Sequence, residues 1–132
     1  MVEERDSGGS YPYQAIIDAY GNGGFRFADM GHRGSLLCLP NGMHAWPVST
    51  PAELTLDLFA PVLAVADQID VLLIGLGEDF AVLDPAIRAA FRERSVIVEA
   101  VATGGAVRTY NVLLGEQRAI GAALIAVERA RR

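Results

Sequence analysis

Lysine is absent from this chain; all 11 basic residues are arginine. A GC-rich genome, which replaces lysine codons with arginine codons, is the bland cause, but the chemical consequence holds regardless. Schiff-base catalysis, a pyridoxal phosphate anchor and a Walker A phosphate loop each need a lysine ammonium, so all three are excluded. Cysteine is nearly absent as well. Cys38 stands alone, which rules out an internal disulfide, a CxxC pair and a four-thiolate metal site, and fits a reducing, cytoplasmic setting. Positive charge is in deficit: 16 acidic residues against 11 basic give a net charge of −5. That is the wrong sign for gripping a phosphate backbone or an anionic lipid surface, so nucleic acid is not expected as a partner. Long apolar runs are missing too. The longest, Ala119 to Val127, falls far short of the roughly 20 residues needed to span a bilayer, so no membrane insertion is expected. The opening MVEERDSGGSYPY has no signal-peptide core.

What is present suffices for one self-supporting domain. With 132 residues and 52% hydrophobic content, the chain can bury a core without disulfides or metals. Composition divides it into a flexible N-terminal leader over residues 1–13, a single domain over 14–128 and a charged tail over 129–132, where Arg129, Arg131 and Arg132 read as a solvated end. The first half reads as short β-strands. Gln14 to Tyr20 leads into Gly21-Asn22-Gly23-Gly24 and then Phe25-Arg26-Phe27, a hairpin pattern. Gly34 to Leu39 forms a third strand ended by Pro40-Asn41-Gly42, and Ala45 to Val48 a brief fourth.

The second half changes rhythm. Leu54 to Ala66 carries a mixed helical pattern with Leu58, Phe59, Val62 and Leu63 on one face, and Pro61 must then fall in the first turns. Val71 to Ile74 and Ser95 to Val101 read as buried strands. Asp84-Pro85 supplies an N-cap and a first-turn proline for a helix with Ile87, Ala90 and Phe91 inward and Arg88, Arg92 and Glu93 outward. Thr103 is placed to cap a following helix that Gly115 closes. Arg118 to Val127 fits either a strand or a helix. The fold class is therefore α/β.

Two glycine-bearing strand ends, Gly75-Leu76-Gly77 and Thr103-Gly104-Gly105, fall where open α/β sheets keep ligands. Helix N-termini favour anions, and Arg108 adds a planar fork for carboxylate or phosphate. A small anion held by Gly75, Gly77, Thr103, Gly104, Gly105 and Arg108 is one expectation, with Glu99 as an acid/base group and Tyr110 and Asn111 on the same helix. Structure alone accounts for the same residue types: a cap, turns, an Arg108 ion pair, and Asn111 tying down a loop. No cofactor is implied. His32, His44 and Asp29 lack metal-site spacing and read as loop residues, so no metal is expected. Ser35 lacks a GxSxG elbow and reads as a strand hydroxyl, and Cys38 as a buried hydrophobe. Met43 and Trp46 read as core or rim packing; exposed together, they would mark a protein interface.

The segments YGNGGFRF, GSLLCLP, VLLIGLG and ATGGAVRTYNVLLGEQRAIGAALIAV, in this order and with a tryptophan after the second, resemble a family of small, largely uncharacterised α/β proteins. That family includes the mitochondrial complex I assembly factor of the same domain type. The resemblance spans about Ile16 to Val127, is most specific at Arg108-Thr109-Tyr110-Asn111, and implies a three-layer sandwich with a mixed sheet in which Arg118 to Val127 is a strand. It implies a protein partner and supplies no reaction, favouring a non-enzymatic binding or assembly protein over an anion-binding or small-molecule enzyme domain. Two features depart from the family: Gly75-Leu76-Gly77 replaces a frequent Gly-Thr-Gly, and Ala100-Val101-Ala102 is less polar than usual.

Overall fold

The fold is described from a computed structural model covering residues 10–79 and 81–130. Residues 1–9 of the expected leader, and Arg131 and Arg132 of the expected tail, lie outside the described residues. Glycine and asparagine set the first half. In the hairpin between β2 (Ala19–Gly21) and β3 (Gly24–Phe27), Asn22 and Gly23 both take left-handed backbone angles, φ 53° and 77°. That pair makes the two-residue turn whose twist matches the strands. β3 turns again into β4 (Met30–Arg33) through Ala28 and Asp29, at φ 49° and 64°. The sequence reading missed β4, because this second left-handed turn contains no glycine.

Strands β2, β3 and β4 form an antiparallel three-stranded sheet. The main sheet has six strands in the order β1-β6-β5-β9-β7-β8, with β1 at Ser10–Tyr11, β5 at Ser35–Leu39, β6 at Gly42–Trp46, β7 at Val71–Gly75, β8 at Ile97–Val101 and β9 at Ile120–Leu124. The sheet is mixed: β7 runs parallel to β8 and β9, while β5 is antiparallel to β6 and β9. Residues 118–127 thus supply a central strand. Ser10 and Tyr11, inside the stretch expected to be a leader, pair with β6 at the sheet's edge.

One face of the main sheet carries α1 (Ala60–Leu63), the residue Phe59 just before it, and α2 (Pro85–Arg92); Phe59, Val62, Ile87 and Phe91 pack with Trp46, Leu72 and Ile74. Trp46, Phe59 and Phe91 meet edge to face at 5.3 and 5.6 Å. The other face is covered by α3 (Thr103–Gly115), through Ala106, Val107 and Tyr110, and by Phe25 and Phe27 of the small sheet. Three layers result.

The expected continuous helix over 54–66 is broken. A 3₁₀ turn at Leu56–Phe59 runs into four-residue α1, with Pro61 in its first turn where the missing N–H costs nothing, and a second 3₁₀ turn follows at Ala66–Gln68. α2 starts as its sequence directs: Asp84 Oδ1 accepts the Ala86 N–H at 2.9 Å ahead of Pro85. Its Arg88, expected to face solvent, is half-buried and donates from Nη1 to the Val98 carbonyl at 2.6 Å. β8, expected to be covered on both faces, is an edge strand whose Ile97 and Val101 are 63% and 42% exposed. Among the described residues it has one strand neighbour, β7, and α3 lies over β7 and β9 instead.

Candidate functional site

The parallel register brings Gly75 level with Val101 on one side and Leu124 on the other, so β7, β8 and β9 end together at the N-terminus of α3. Thr103 ties this junction together. Its backbone N–H donates to the Gly77 carbonyl at 2.8 Å, its hydroxyl donates to the Ile125 carbonyl at 2.7 Å, and that same oxygen accepts the Gly77 N–H at 3.0 Å. The Ile125 N–H reaches the Gly75 carbonyl at 2.9 Å and the Leu76 N–H the Val101 carbonyl at 2.8 Å. Thr103 is fully buried and does not cap α3; the N-cap is Ala102, which makes no side-chain cap. Gly75 is required by close approach: a Cβ there would lie 2.9 Å from both Cα and Oγ1 of Thr103. At the other end, Gly115 is still helical, and the left-handed residue that follows is Gln117, φ 63°.

The remaining candidates separate into distinct groups. Tyr110 and Asn111 clamp the segment that precedes β2. The Tyr110 hydroxyl donates to the Ala15 carbonyl at 2.7 Å, and Asn111 both accepts the Ile17 N–H and donates to the Ile17 carbonyl, each at 2.8 Å. Arg108 is exposed on another side of α3, with its guanidinium over Gly104 and Gly105. The Tyr20 hydroxyl packs so closely on Gly104 that a Cβ there would collide with it. Glu99 is exposed on the β8 edge. The junction residues Gly75, Gly77 and Thr103 are thus joined in one buried knot, while Glu99, Arg108, Tyr110 and Asn111 point elsewhere.

A crevice of about 310 Å³ does open at the strand ends, and Gly77 lines it, but Thr103, Gly104 and Arg108 do not. Its wall carries the carboxylates Glu78 and Asp79. Glu78 accepts the Glu128 N–H at 3.1 Å. Two acidic side chains favour a cation or a neutral polar group over an anion here.

Met43 and Trp46 are both buried and face opposite sides of the sheet, Met43 towards α3 and Trp46 towards α1 and α2. They share no exposed surface. The Trp46 indole N–H donates to the Leu58 carbonyl at 2.7 Å. The histidines are strand residues, not loop residues: His32 is buried in β4 with Nε2 3.0 Å from the Ser35 carbonyl, and His44 in β6 lies 2.8 Å from Asn41 Oδ1, its pKa lowered by burial. The Ser35 hydroxyl, on β5, donates to the Val48 carbonyl and accepts the Ala126 N–H at 2.9 Å, joining the chain just past β6 to the chain just past β9. Burial pushes both the Cys38 thiol and the Tyr110 hydroxyl up, keeping both protonated. No group of three or more His, Cys, Asp or Glu side chains among the described residues could hold a metal ion.

One depression escaped the sequence reading. A cleft of about 360 Å³ lies on the three-stranded sheet, with Tyr20, Arg26, His32 and Arg33 among its lining. The usable signal was the alternation in Phe25-Arg26-Phe27, which sets Arg26 opposite the core.

Residues 17–125 match the family described as "Protein of unknown function (DUF498/DUF598)". An uncharacterised protein of Rhodobacter capsulatus is 39% identical over 109 residues, covering 83% of this chain and 82% of that protein. NADH dehydrogenase (ubiquinone) 1 alpha subcomplex assembly factor 3 of Mus musculus is 30% identical over 115 residues, 87% of this chain but 62% of the assembly factor. A crystal structure from Bartonella henselae, described as that of an outer membrane protein, matches with a TM-score of 0.86 and 48% identity over 89% of this chain and 99% of that one. No helix among the described residues of this chain is long and apolar enough to cross a membrane.

Proposed function

This chain belongs to the DUF498/DUF598 family of proteins of unknown function, and from that premise we propose that it is a non-enzymatic binding protein that assists assembly of a respiratory membrane complex. The observation that carries the proposal is the match to six vertebrate assembly factor 3 proteins, 27–31% identical over 83–87% of this chain. The chain spans about 62% of the mouse assembly factor's length, so the proposal attaches to the shared domain. Further support comes from the β8 edge, which pairs with no second strand among the described residues and where Ile97 and Val101 are exposed, and from Val112 on α3, 59% exposed. Apolar groups on an open sheet edge suit the addition of a partner segment.

A second reading assigns a small ligand to Gly75, Gly77, Glu99, Thr103, Gly104, Gly105, Arg108, Tyr110 and Asn111. The crevice at Gly77 supports it. Against it stand the acidic wall and the mutual hydrogen bonding of Gly77 and Thr103, which leaves the knot without a donor to offer.

Affinity capture from detergent-solubilised native cells, at low and moderate salt, tests the proposal. Wild type, Ile97→Glu and Arg108→Ala serve as baits. Stoichiometric recovery of respiratory-complex subunits with wild type, and their loss with Ile97→Glu, is the expected result. Return of the bait alone under both salt conditions overturns the assembly reading and turns attention to ligands.

A further inference from the structure

We propose that the edge of β8 takes a strand from a partner protein, one that carries an arginine or lysine between two apolar residues in the pattern apolar-x-basic-x-apolar. The inference rests on the binding reading above and narrows the partner to a sequence class. It starts from the backbone. The Ile97 N–H donates to the Asp70 carbonyl at 2.9 Å and the Val101 carbonyl accepts the Leu76 N–H at 2.8 Å, so the odd residues of β8 face β7. Backbone groups alternate in direction along a strand, which turns those of Val98 and Ala100 outward, to an edge that meets no second strand among the described residues. One of these groups is already engaged: Arg88 donates from Nη1 to the Val98 carbonyl at 2.6 Å. Ala100, with N–H and carbonyl both outward, is therefore the residue about which an added strand pairs, and the Val98 N–H is the next donor along.

The side chains define what that strand must bring. Ile97, Glu99 and Val101 are exposed together on the α3 side of β8, while Val98 and Ala100 turn to the core under α2. Arg88 reaches the edge from the α2 side, across the sheet from Glu99. α3 borders the exposed face without covering it: a Cβ on Gly105 would lie 3.6 Å from Val101 Cγ2. Because β8 and β9 both run parallel to β7, α3 runs back along them, and Val112 lies on the same stripe of the helix as Gly105, about 10 Å towards the Ile97 end. An added strand thus meets apolar, acidic and apolar side chains in turn, with Val112 as a side wall. Its match is apolar, basic, apolar, a pattern that reads the same in parallel and antiparallel pairing. The net charge of −5 attracts the same kind of partner. A second copy fits poorly. Two β8 strands paired about Glu99 would set like carboxylates face to face, pairing about Val98 meets the Arg88 bond, and pairing about Ala100 sets Glu99 against Val101.

The test is an amide NMR titration of the full chain with a backbone-cyclised β-hairpin peptide whose outer strand reads Val-Thr-Arg-Thr-Val, cyclised so that little ordering cost falls on binding. Saturable shifts centred on residues 96–102, with slowed exchange of the Val98 and Ala100 amides, are expected. A sibling hairpin with glutamate in place of its arginine should bind about fivefold more weakly, and Glu99→Arg should reverse that preference. Ala100→Pro removes an outward N–H and none that faces β7, and it should abolish binding. Amide dispersion reports whether that variant folds, and Glu99→Arg, an exposed change, decides the matter if it does not. Absence of saturable shifts, equal binding of the two hairpins, or a preference that Glu99→Arg leaves in place would each overturn the proposal. So would a concentration-dependent dimer with its interface at β8, which assigns the edge to a second copy. Failure of the assembly reading shows separately: hairpin binding while the wild-type bait captures no subunits retires the respiratory role and supports the edge, whereas captured subunits without hairpin binding overturn the edge alone.

Discussion

Replacing Thr103 with valine keeps the shape of the side chain and removes only its hydroxyl. That oxygen donates to the Ile125 carbonyl at 2.7 Å and accepts the Gly77 N–H at 3.0 Å, in a residue with no exposed surface. Both partners are buried, so the variant strands an N–H and a carbonyl away from water. A buried polar group left unsatisfied costs about 1–3 kcal/mol, which puts Thr103→Val at about 2–4 kcal/mol once the second lone pair of the carbonyl is allowed for. That is a sizeable part of the roughly 5–15 kcal/mol that holds a domain folded. Thr103→Ser is the counter-variant. It keeps the hydroxyl and loses one buried methyl, about 1 kcal/mol. Urea unfolding followed by circular dichroism reads both from the midpoints, and the expected order of stability is wild type, then Ser, then Val. Val at or above wild type, or Ser below Val, would refute the claim that the hydroxyl joins β7, α3 and the end of β9.

Three further outcomes are expected. Asn111→Ala removes both hydrogen bonds to Ile17 and should cost about 1–3 kcal/mol, with faster amide hydrogen exchange concentrated in residues 14–18; unchanged exchange there would contradict the clamp. Gly75→Ala drives a Cβ against the Thr103 backbone and should destabilise by about 1–3 kcal/mol, seen as a lower melting temperature. The Cys38 thiol, fully buried and held protonated by burial, should stay silent to a thiol-reactive chromophore in the native state and react fully in denaturant; rapid native labelling would show that the core opens at β5.

Local chemistry was legible where a residue's role depends on its immediate neighbours. Asp84-Pro85 starts α2 because a cap and a first-turn proline act within one helical turn. The Asn22-Gly23 turn declares its hairpin for the same reason. Ala28 and Asp29 make an equivalent turn without the expected residues, held in the left-handed region by the pairing on either side, and so β4 went unseen. The exposure of β8 was illegible for a different reason. Its apolar run is compatible with a central strand, and only the order of strands places it at an edge.

The same distinction governs the candidate sites. A threonine and two glycines at a strand-to-helix junction are the residue types of a phosphate cradle, and equally those of a tight three-strand seam; the choice is made by Ile125 and Gly77, residues 22 and 26 positions away from Thr103 in sequence. Arg26 and Arg33 show the converse. In sequence Arg26 is the charged residue of an alternating strand, and Arg33 belongs to the stretch where β4 went unseen. Register supplies what the sequence withholds, because it sets both on one face and surrounds them with glycine and alanine.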